Sequence, residues 1–203
     1  MSAHQLHRSL ARLNLRCFNV RPQRIQIIRT PTAFYESLIE RCDRATTRVT
    51  LSALYWGTGP LALNLAEAVA RAASRGVAVN VTLDAARAGR RDQDGRTSVD
   101  ALAAVEEAGG DIHLVDASGR SGLIGEILGV YHAKACVFDD ATLLTGANLS
   151  EEYFRSRQDR YVVVRDSKVA DWYDRAVRAA AAAPDAVEPV SYTHLTLPTT
   201  PYV

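Results

Sequence analysis

Histidine and lysine, two residue types that can act on a phosphate group, lie two positions apart at His132 and Lys134. In an extended strand, residues i and i+2 point to the same face about 6.5 to 7 Å apart, so both side chains can address one ligand. Asp139 follows the lysine by five positions and completes the pattern H-x-K-x4-D. An imidazole can attack phosphorus, an ammonium group can neutralise the non-bridging oxygens, and a third group can protonate the leaving oxygen. The pattern therefore predicts phosphodiester transfer that needs no metal or other cofactor, with these three residues as catalytic residues.

The choice of lysine adds weight to this interpretation. Only two of the 24 basic residues are lysines, the second being Lys168. Arginine presents a planar fork of donors, whereas lysine is a compact point charge, so Lys134 indicates a site that needs such a charge. Two alternatives stay open from the residues alone. His132 can be an ordinary core histidine, and Asp139 can serve only to shape a turn, where aspartate is common.

Three residues further along the chain are candidates for binding or orienting the substrate. Gly146 and Asn148 follow the next predicted strand and can offer backbone and an amide group to the same phosphate. Asp159 can bond a ring nitrogen of the histidine, hold its tautomer and raise its basicity. An earlier loop carries four arginines that can bind phosphates or simply face solvent, namely Arg87, Arg90, Arg91 and Arg96.

An α/β domain must position these residues, because short apolar runs alternate with helical patterns from residue 24 onward. The predicted strands span residues 25–28, 48–54, 77–83, 112–115, 131–138, 141–145 and 161–164. Helical spacing of apolar residues covers 34–42, 60–75, 98–108 and 168–183. Residues 117–129 contain four glycines and are predicted to form a flexible loop.

Composition excludes several classes of protein. With 47% apolar and 23% charged residues in 203 positions, the chain is neither disordered, nor collagen-like, nor a coiled coil. No apolar run approaches the ~20 residues of a membrane-spanning helix, which excludes a membrane-embedded enzyme. The three cysteines are widely spaced and form no CxxC pair, so they indicate neither a disulfide framework nor a zinc site.

The two ends of the chain differ from its body. Six arginines and no acid precede Glu36, after which 18 basic residues face 23 acidic residues, a net charge of −5. Arginines at helical spacing opposite a leucine stripe predict a mitochondrial transit peptide over residues 1–24; a basic surface helix or a nucleic-acid arm is the alternative. Residues 184–203 are predicted to be a linker and a tail that is not native, because VSYTHLTLPTTPYV lacks the alanine, arginine and acids of the body.

At these motifs the chain resembles the phospholipase D superfamily, whose hallmark is an HKD motif followed by glycine and asparagine. The segments YHAKACVFDD (131–140), GANLSEEYFRSRQDRY (146–161), GTGPL (57–61) and LDAARAGRRDQDGRTS (83–98) are similar to one mitochondrial branch of it. That resemblance implies a phospholipase D-like lobe with a mixed β-sheet flanked by helices on both faces. It also implies metal-independent transfer of a phosphatidyl group from CDP-diacylglycerol to glycerol 3-phosphate at a membrane surface, the mitochondrial inner membrane. The negative charge of the body separately predicts that nucleic acid is not a partner.

The resemblance carries two departures. The wider superfamily often has a serine between the glycine and the asparagine, whereas only Ala147 lies between Gly146 and Asn148 here. The family also builds one site from two HKD motifs, and this chain has one. We therefore expect residues 25–183 to be an N-terminal catalytic lobe that is inactive without a second HKD lobe of the same polypeptide.

Other functions are compatible with a single motif. One is a CDP-diacylglycerol–serine phosphatidyltransferase, and another is a phosphodiesterase or nuclease that pairs two copies of the chain. A nuclease is disfavoured because its body should carry excess positive charge, and this body is negative. A third is a lobe that binds anionic lipid headgroups without catalysis.

Overall fold

The computed structural model of the chain describes residues 17–116 and 130–182. Its strands are β1 (Ile25–Ile28), β2 (Arg48–Ala53), β3 (Ala78–Asp84), β4 (Asp111–Val115), β5 (Ala135–Phe138), β6 (Ala141–Thr145) and β7 (Tyr161–Arg165). They form one seven-stranded sheet in the order β1-β7-β6-β5-β2-β3-β4. Strands β2, β3 and β4 run parallel, and every other neighbouring pair is antiparallel. The predicted mixed sheet is confirmed.

The helices are α1 (Pro31–Arg44), α2 (Pro60–Ser74), α3 (Ala85–Ala88), α4 (Ser98–Ala101), α5 (Ala103–Glu107), α6 (Glu151–Arg155) and α7 (Ser167–Ala182). The start of α2 is as predicted, with Pro60 at its first position, where a missing N–H costs nothing. The helix predicted over 98–108 is instead two short helices, because the N–H of Leu102 bonds the carbonyl of Val99, one residue short of α-helical spacing. The one-turn helices α3 and α6 were not predicted, since four or five residues are too few to show a helical period.

The first face of the sheet carries the larger core. Helices α1 and α2 lie over it, and their apolar stripes meet the valines and leucines of the central strands. Phe34 of α1 is fully buried and stacks on Tyr161 of β7, with ring centroids 4.4 Å apart. Burial of each such side chain contributes about 1.5 to 3 kcal/mol, so this layer supplies much of the stability of the domain.

The opposite face is covered by α7, so helices lie on both faces as the resemblance implied. Val169 and Tyr173 of α7 pack against Val137 and Val164 of the sheet. Residues upstream of the strands add to this layer, because the ring of Phe18 lies 6.2 Å from that of Trp172 in an edge-on arrangement. The packed body therefore begins before residue 25, upstream of the predicted boundary.

Some sequence-based predictions lie outside the described residues. They are the first sixteen residues of the predicted transit peptide, the loop at 117–129 and the tail from 184 onward. Within the part of the chain that the structure describes, no helix is both long and apolar enough to cross a membrane.

We predict that residues 17–24 stabilise the body. A chain that begins at residue 25 should melt about 3 °C below one that begins at residue 17, because loss of the Phe18 contact removes about 1 kcal/mol of apolar burial. Circular dichroism melting of the two truncated chains makes the comparison. Equal melting temperatures would show that this segment only rests on the surface.

Candidate active site

The segment that precedes β5 is extended but lies outside the sheet ladder, so β5 begins at Ala135 and not at Tyr131 as predicted. Its polar groups bond to side chains of neighbouring strands. The N–H of Tyr131 donates to Asp84 over 2.7 Å, and the hydroxyl of Ser52 donates to the carbonyl of Ala133 over 2.9 Å. These bonds replace ladder bonds and hold the segment at the edge of a cleft.

His132 and Lys134 project from this segment to the same side, as the spacing predicts. Lys134 Nζ lies 3.0 Å from Nε2 and 3.2 Å from Nδ1 of His132. The intervening Ala133 and the following Ala135 pack inward instead. The structure therefore brings an imidazole and an ammonium group to one point on the surface of the cleft.

The electrostatics of this pair favour a neutral imidazole. Burial lowers the pKa of His132, the charge of Lys134 lowers it further, and Asp84 opposes both effects. Burial also lowers the pKa of Lys134 to about 8, against the opposing charge of Asp159. At neutral pH the pair is thus an uncharged potential nucleophile beside a cation, the combination that attack on a phosphate diester requires.

Asp84 positions the segment, and the sequence analysis missed it. Its carboxylate is buried at the end of β3, where one oxygen accepts from the N–H of Arg87 over 2.9 Å and the other accepts from Tyr131. The first bond caps the short helix α3. An aspartate between an apolar strand and the residues AARA is a helix-capping signal, but nothing local predicts the second bond.

A pocket of about 90 Å³ opens beside the pair. His132 and Lys134 form one wall, and Gly146 and Arg160 line it from the neighbouring strand ends. Its apolar side comes from α7, whose residues the sequence analysis did not associate with the site. They are Tyr173, Ala176 and Val177.

Gly146 and Asp159 meet beside this pocket, although not in the predicted way. The Asp159 carboxylate accepts from the N–H of Gly146 over 2.9 Å and from the N–H of Arg160 over 2.7 Å, rather than from the imidazole of His132. A Cβ at position 146 would lie 2.9 Å from an Asp159 oxygen, so only glycine allows this approach. Asp159 therefore shapes the turn and acts on Lys134 through its charge.

Asn148 is also close to this turn and is buried. Its Oδ1 atom has no hydrogen-bond partner within the described residues. A buried amide oxygen without a partner is rare in folded proteins, because it forfeits the hydrogen bonds that it makes in water. Asn148 is not among the residues that line the pocket beside His132, so its role in substrate binding stays a prediction.

Asp139 is not part of this cluster. Five residues of extended chain span about 16 Å, so Asp139 lies at the opposite end of β5 from Lys134. There its carboxylate accepts from the N–H groups of Thr46, Thr47 and Arg48 and from both threonine hydroxyls. The structure thus replaces the predicted catalytic role of Asp139 with a structural one, the alternative that its turn position had left open.

The ionisation of Asp139 reflects these bonds. Partial burial acts to raise its pKa, but hydrogen bonds from Thr47, Arg48 and Thr46 outweigh burial and bring the pKa down to about 2. The residue also has a left-handed backbone, with φ of 50°. Aspartate and asparagine tolerate this conformation better than most residues do.

The segments that carried the family resemblance contact one another. The N–H of Gly57 donates to the carbonyl of Leu149 over 2.8 Å, and the N–H of Leu61 donates to the Glu151 carboxylate over 2.9 Å. A Cβ on Gly57 would come within 2.9 Å of Ser150 Cα, so this contact requires glycine. The GTGPL turn is thus a support for the loop that carries Asn148.

Comparison with known proteins points to one group. A family model described as "Cardiolipin synthase, PLD-like domain" matches residues 38–180. A probable CDP-diacylglycerol–glycerol-3-phosphate 3-phosphatidyltransferase of Dictyostelium discoideum is 34% identical over 79% of this chain and 30% of its own length. The mitochondrial enzyme of that name from Homo sapiens is 29% identical over 80% of this chain and 32% of its own. The chain thus spans about a third of the length of these curated relatives.

Solved structures show the same fold. Phosphatidylserine synthase of Haemophilus influenzae Rd KW20 matches with a TM-score of 0.74 at 22% identity, over 89% of this chain and 42% of that one. Nuc of Salmonella typhimurium, a phospholipase D family member, matches with a TM-score of 0.58 at 20% identity, over 76% of this chain and 91% of that one. At these identities the likeness establishes the architecture.

We predict that Asp139→Asn lowers the free energy of unfolding at pH 7 by about 1 to 2 kcal/mol, because the amide keeps the turn conformation but loses the charge that five donors stabilise. A carboxyl group whose folded pKa is about 2 and whose unfolded pKa is about 3.9 stabilises the fold above pH 4. The difference between variant and wild type should therefore shrink as pH falls from about 4 to about 2. Urea unfolding across this range measures it.

The neighbouring Asp140→Asn is the control for that experiment. Asp140 is exposed in the same turn, so its substitution should leave the unfolding free energy within about 0.5 kcal/mol of wild type. If Asp139→Asn were as stable as Asp140→Asn at pH 7, the structural role of Asp139 would be wrong.

We predict that Lys134→Met raises the pKa of His132, because methionine keeps the packing and removes the neighbouring positive charge that lowers this pKa. Titration of the imidazole C–H signals by NMR gives the value in each variant. Lys168→Met, which removes the other lysine of the chain, should leave it unchanged. An unaltered or lower His132 pKa in Lys134→Met would contradict the electrostatic coupling of the pair.

Proposed function

The chain belongs to the phospholipase D-like family whose model is described as cardiolipin synthase, PLD-like domain, and from that premise we propose that it is the HKD lobe of a phosphatidyltransferase. The reaction is transfer of a phosphatidyl group from CDP-diacylglycerol to glycerol 3-phosphate, with release of CMP. The observation that carries the proposal is the contact between the imidazole of His132 and the ammonium of Lys134 beside a small pocket. The relatives named as enzymes of this reaction support the choice of substrates.

The first step uses groups of this lobe. A ring nitrogen of neutral His132 attacks the phosphorus of the phosphatidyl group, a nitrogen–phosphorus bond forms, and the phosphorus–oxygen bond to CMP breaks. The bonding electron pair leaves with the oxygen of CMP. Lys134 neutralises the non-bridging oxygens as charge accumulates on them, which lowers the barrier.

The second step regenerates the histidine. A hydroxyl oxygen of glycerol 3-phosphate attacks the same phosphorus, and the nitrogen–phosphorus bond breaks as the new ester bond forms. The hydroxyl proton passes to a base, and we assign this base to a second HKD lobe, as part of the proposal. Residues 25–183 are accordingly half of a catalytic unit.

The proposal includes a location. Several relatives are named as mitochondrial, and the stripe of Arg8, Arg12 and Arg16, which lies upstream of the packed body, is typical of a transit peptide. A lipid donor with two acyl chains must be taken from a bilayer. We therefore place the lobe at the surface of the mitochondrial inner membrane.

A chimeric enzyme tests this proposal. We expect that residues 17–182, exchanged for the matching segment of the Dictyostelium discoideum relative, support release of CMP from CDP-diacylglycerol when glycerol 3-phosphate is present. His132→Ala and Lys134→Ala in the chimera should each lower turnover by about 10² to 10⁴, because each removes a group that acts on the reacting phosphate. Release of labelled CMP is the measurement.

Lys168→Ala is the matched control and should turn over like the parent chimera, because that lysine lies at the start of α7 away from the pocket. Serine in place of glycerol 3-phosphate should give no product. A folded chimera that releases no CMP, or one that keeps its rate in His132→Ala, would refute the proposed function. Faster turnover with serine than with glycerol 3-phosphate would assign the lobe to a CDP-diacylglycerol–serine phosphatidyltransferase.

A further inference from the structure

A second cavity of about 360 Å³ lies at the same end of the sheet as His132. Residues 54–58, which follow β2, form one wall, and the arginine loop after β3 forms the other. We call this cavity the arginine pocket, because Arg87, Arg90, Arg91 and Arg96 all line it. The chemistry of the proposed function does not use it.

The arginine pocket is held together by specific bonds. The Asp92 carboxylate accepts a hydrogen bond from the Thr58 side chain, which joins the two walls. The same carboxylate accepts from the N–H groups of Asp94 and Arg96 and so closes the loop on itself. These contacts define the shape of the cavity.

Arg91 and Arg96 make contacts within the loop itself. Arg91 donates to the carbonyl of Gly95 over 2.7 Å, and Arg96 pairs with Asp94 over 3.0 Å. Arg87 differs, because its Nε atom is buried and has no hydrogen-bond partner within the described residues. Such a buried N–H without an acceptor is costly, and an anion in the arginine pocket, which Arg87 lines, would offset part of that cost through the charge of the guanidinium.

Arg87 is also fixed relative to the catalytic pair. Its backbone N–H donates to the same Asp84 carboxylate that receives the N–H of Tyr131, so one side chain sets the positions of Arg87 and of the residue before His132. The two groups are close enough to interact, because the charge of Arg87 adds to the effects of burial and of Lys134 in lowering the pKa of His132.

We propose that the arginine pocket binds the substrate phosphate that does not react, with Arg87 as its principal donor. This inference rests on the proposed function, in which each substrate carries such a group. In CDP-diacylglycerol it is the phosphate that leaves with cytidine, and in glycerol 3-phosphate it is the terminal phosphate. Both are anionic phosphates that a guanidinium fork recognises with paired hydrogen bonds.

Binding to the purified 203-residue chain tests the inference without turnover. Isothermal titration with CMP, glycerol 3-phosphate and inorganic phosphate gives the affinities, and NMR of the backbone amides locates each probe. We expect Arg87→Gln to weaken the binding of CMP, of glycerol 3-phosphate or of both by tenfold or more. In the wild-type chain, the amide shifts caused by the probe should centre on residues 55–58 and 87–91. Arg44→Gln, which removes an exposed arginine of α1 that pairs with Glu40, should bind all three probes within a factor of two of wild type.

The probes identify the source of the phosphate. Loss of CMP affinity alone assigns the arginine pocket to the donor, and loss of glycerol 3-phosphate affinity alone assigns it to the acceptor. Unchanged affinities in Arg87→Gln would overturn the inference, as would shifts confined to residues 131–134 and 146 of the wild-type chain. If the Arg87→Gln variant does not fold, the amide shifts of the wild-type chain still show whether the probe binds in the arginine pocket.

This outcome is separate from that of the chimera. If the chain binds phosphate through Arg87 but its chimera releases no CMP, the inferred phosphate site stands and the proposed function is refuted. CMP release from a chimera whose Arg87→Gln variant binds and reacts normally would keep the function and overturn the pocket.

Discussion

The buried carboxylate of Asp84 is the interaction on which the geometry of the site depends. It is 2% exposed, and its two oxygens accept from the N–H groups of Arg87 and Tyr131. Transfer of an unpaired carboxylate into the interior is prohibitively costly, so such a group is stable there only when donors reach both oxygens. One donor belongs to helix α3, which follows the parallel strand β3, and the other belongs to the segment that leads into the antiparallel strand β5. The hydrogen bonds that this one charge needs therefore hold the segment before β5, which carries His132 and Lys134, next to the arginine pocket.

The fold follows from the sequence more completely than the site does. Strand positions were predictable because buried strands read as apolar runs between turn residues, and the contact of His132 with Lys134 follows from a period of two. The role of Asp139 does not follow, since its donors lie 91 to 93 positions away in the chain. The same is true of Asp84, whose Tyr131 donor is 47 positions distant. Hydrogen-bond partners brought together only by the sheet leave no local signal.

The spacing of the H-x-K-x4-D motif has a structural meaning. Lys134 immediately precedes β5 and Asp139 immediately follows it, so the four residues between them are the whole of this central strand. Arg48 bonds the Asp139 carbonyl and also pairs with Asp171 of α7, the helix that carries Tyr173 to the pocket. The aspartate thus fixes one end of β5 and, through Arg48, the helix that closes the site at the other end. Asp139 thus belongs to the motif as a residue that holds the strand in place, at the end of β5 opposite the pocket.

The use of lysine at the site, in a chain that otherwise relies on arginine, has an electrostatic explanation. Arg71 forms two parallel bonds to Asp43, and such fork geometry suits fixed ion pairs. Lys134 has only a partly buried position beside an imidazole, and burial lowers its pKa to about 8. Burial lowers the pKa of His132, and the Lys134 ammonium 3.0 Å away lowers it further, so the histidine is neutral at pH 7. In the proposed function, a phosphate that binds here adds to the negative charge of Asp159 near the lysine and meets a histidine that is already unprotonated. Lys134 is therefore a cation that can attract an anion, and its charge acts together with burial to keep His132 neutral.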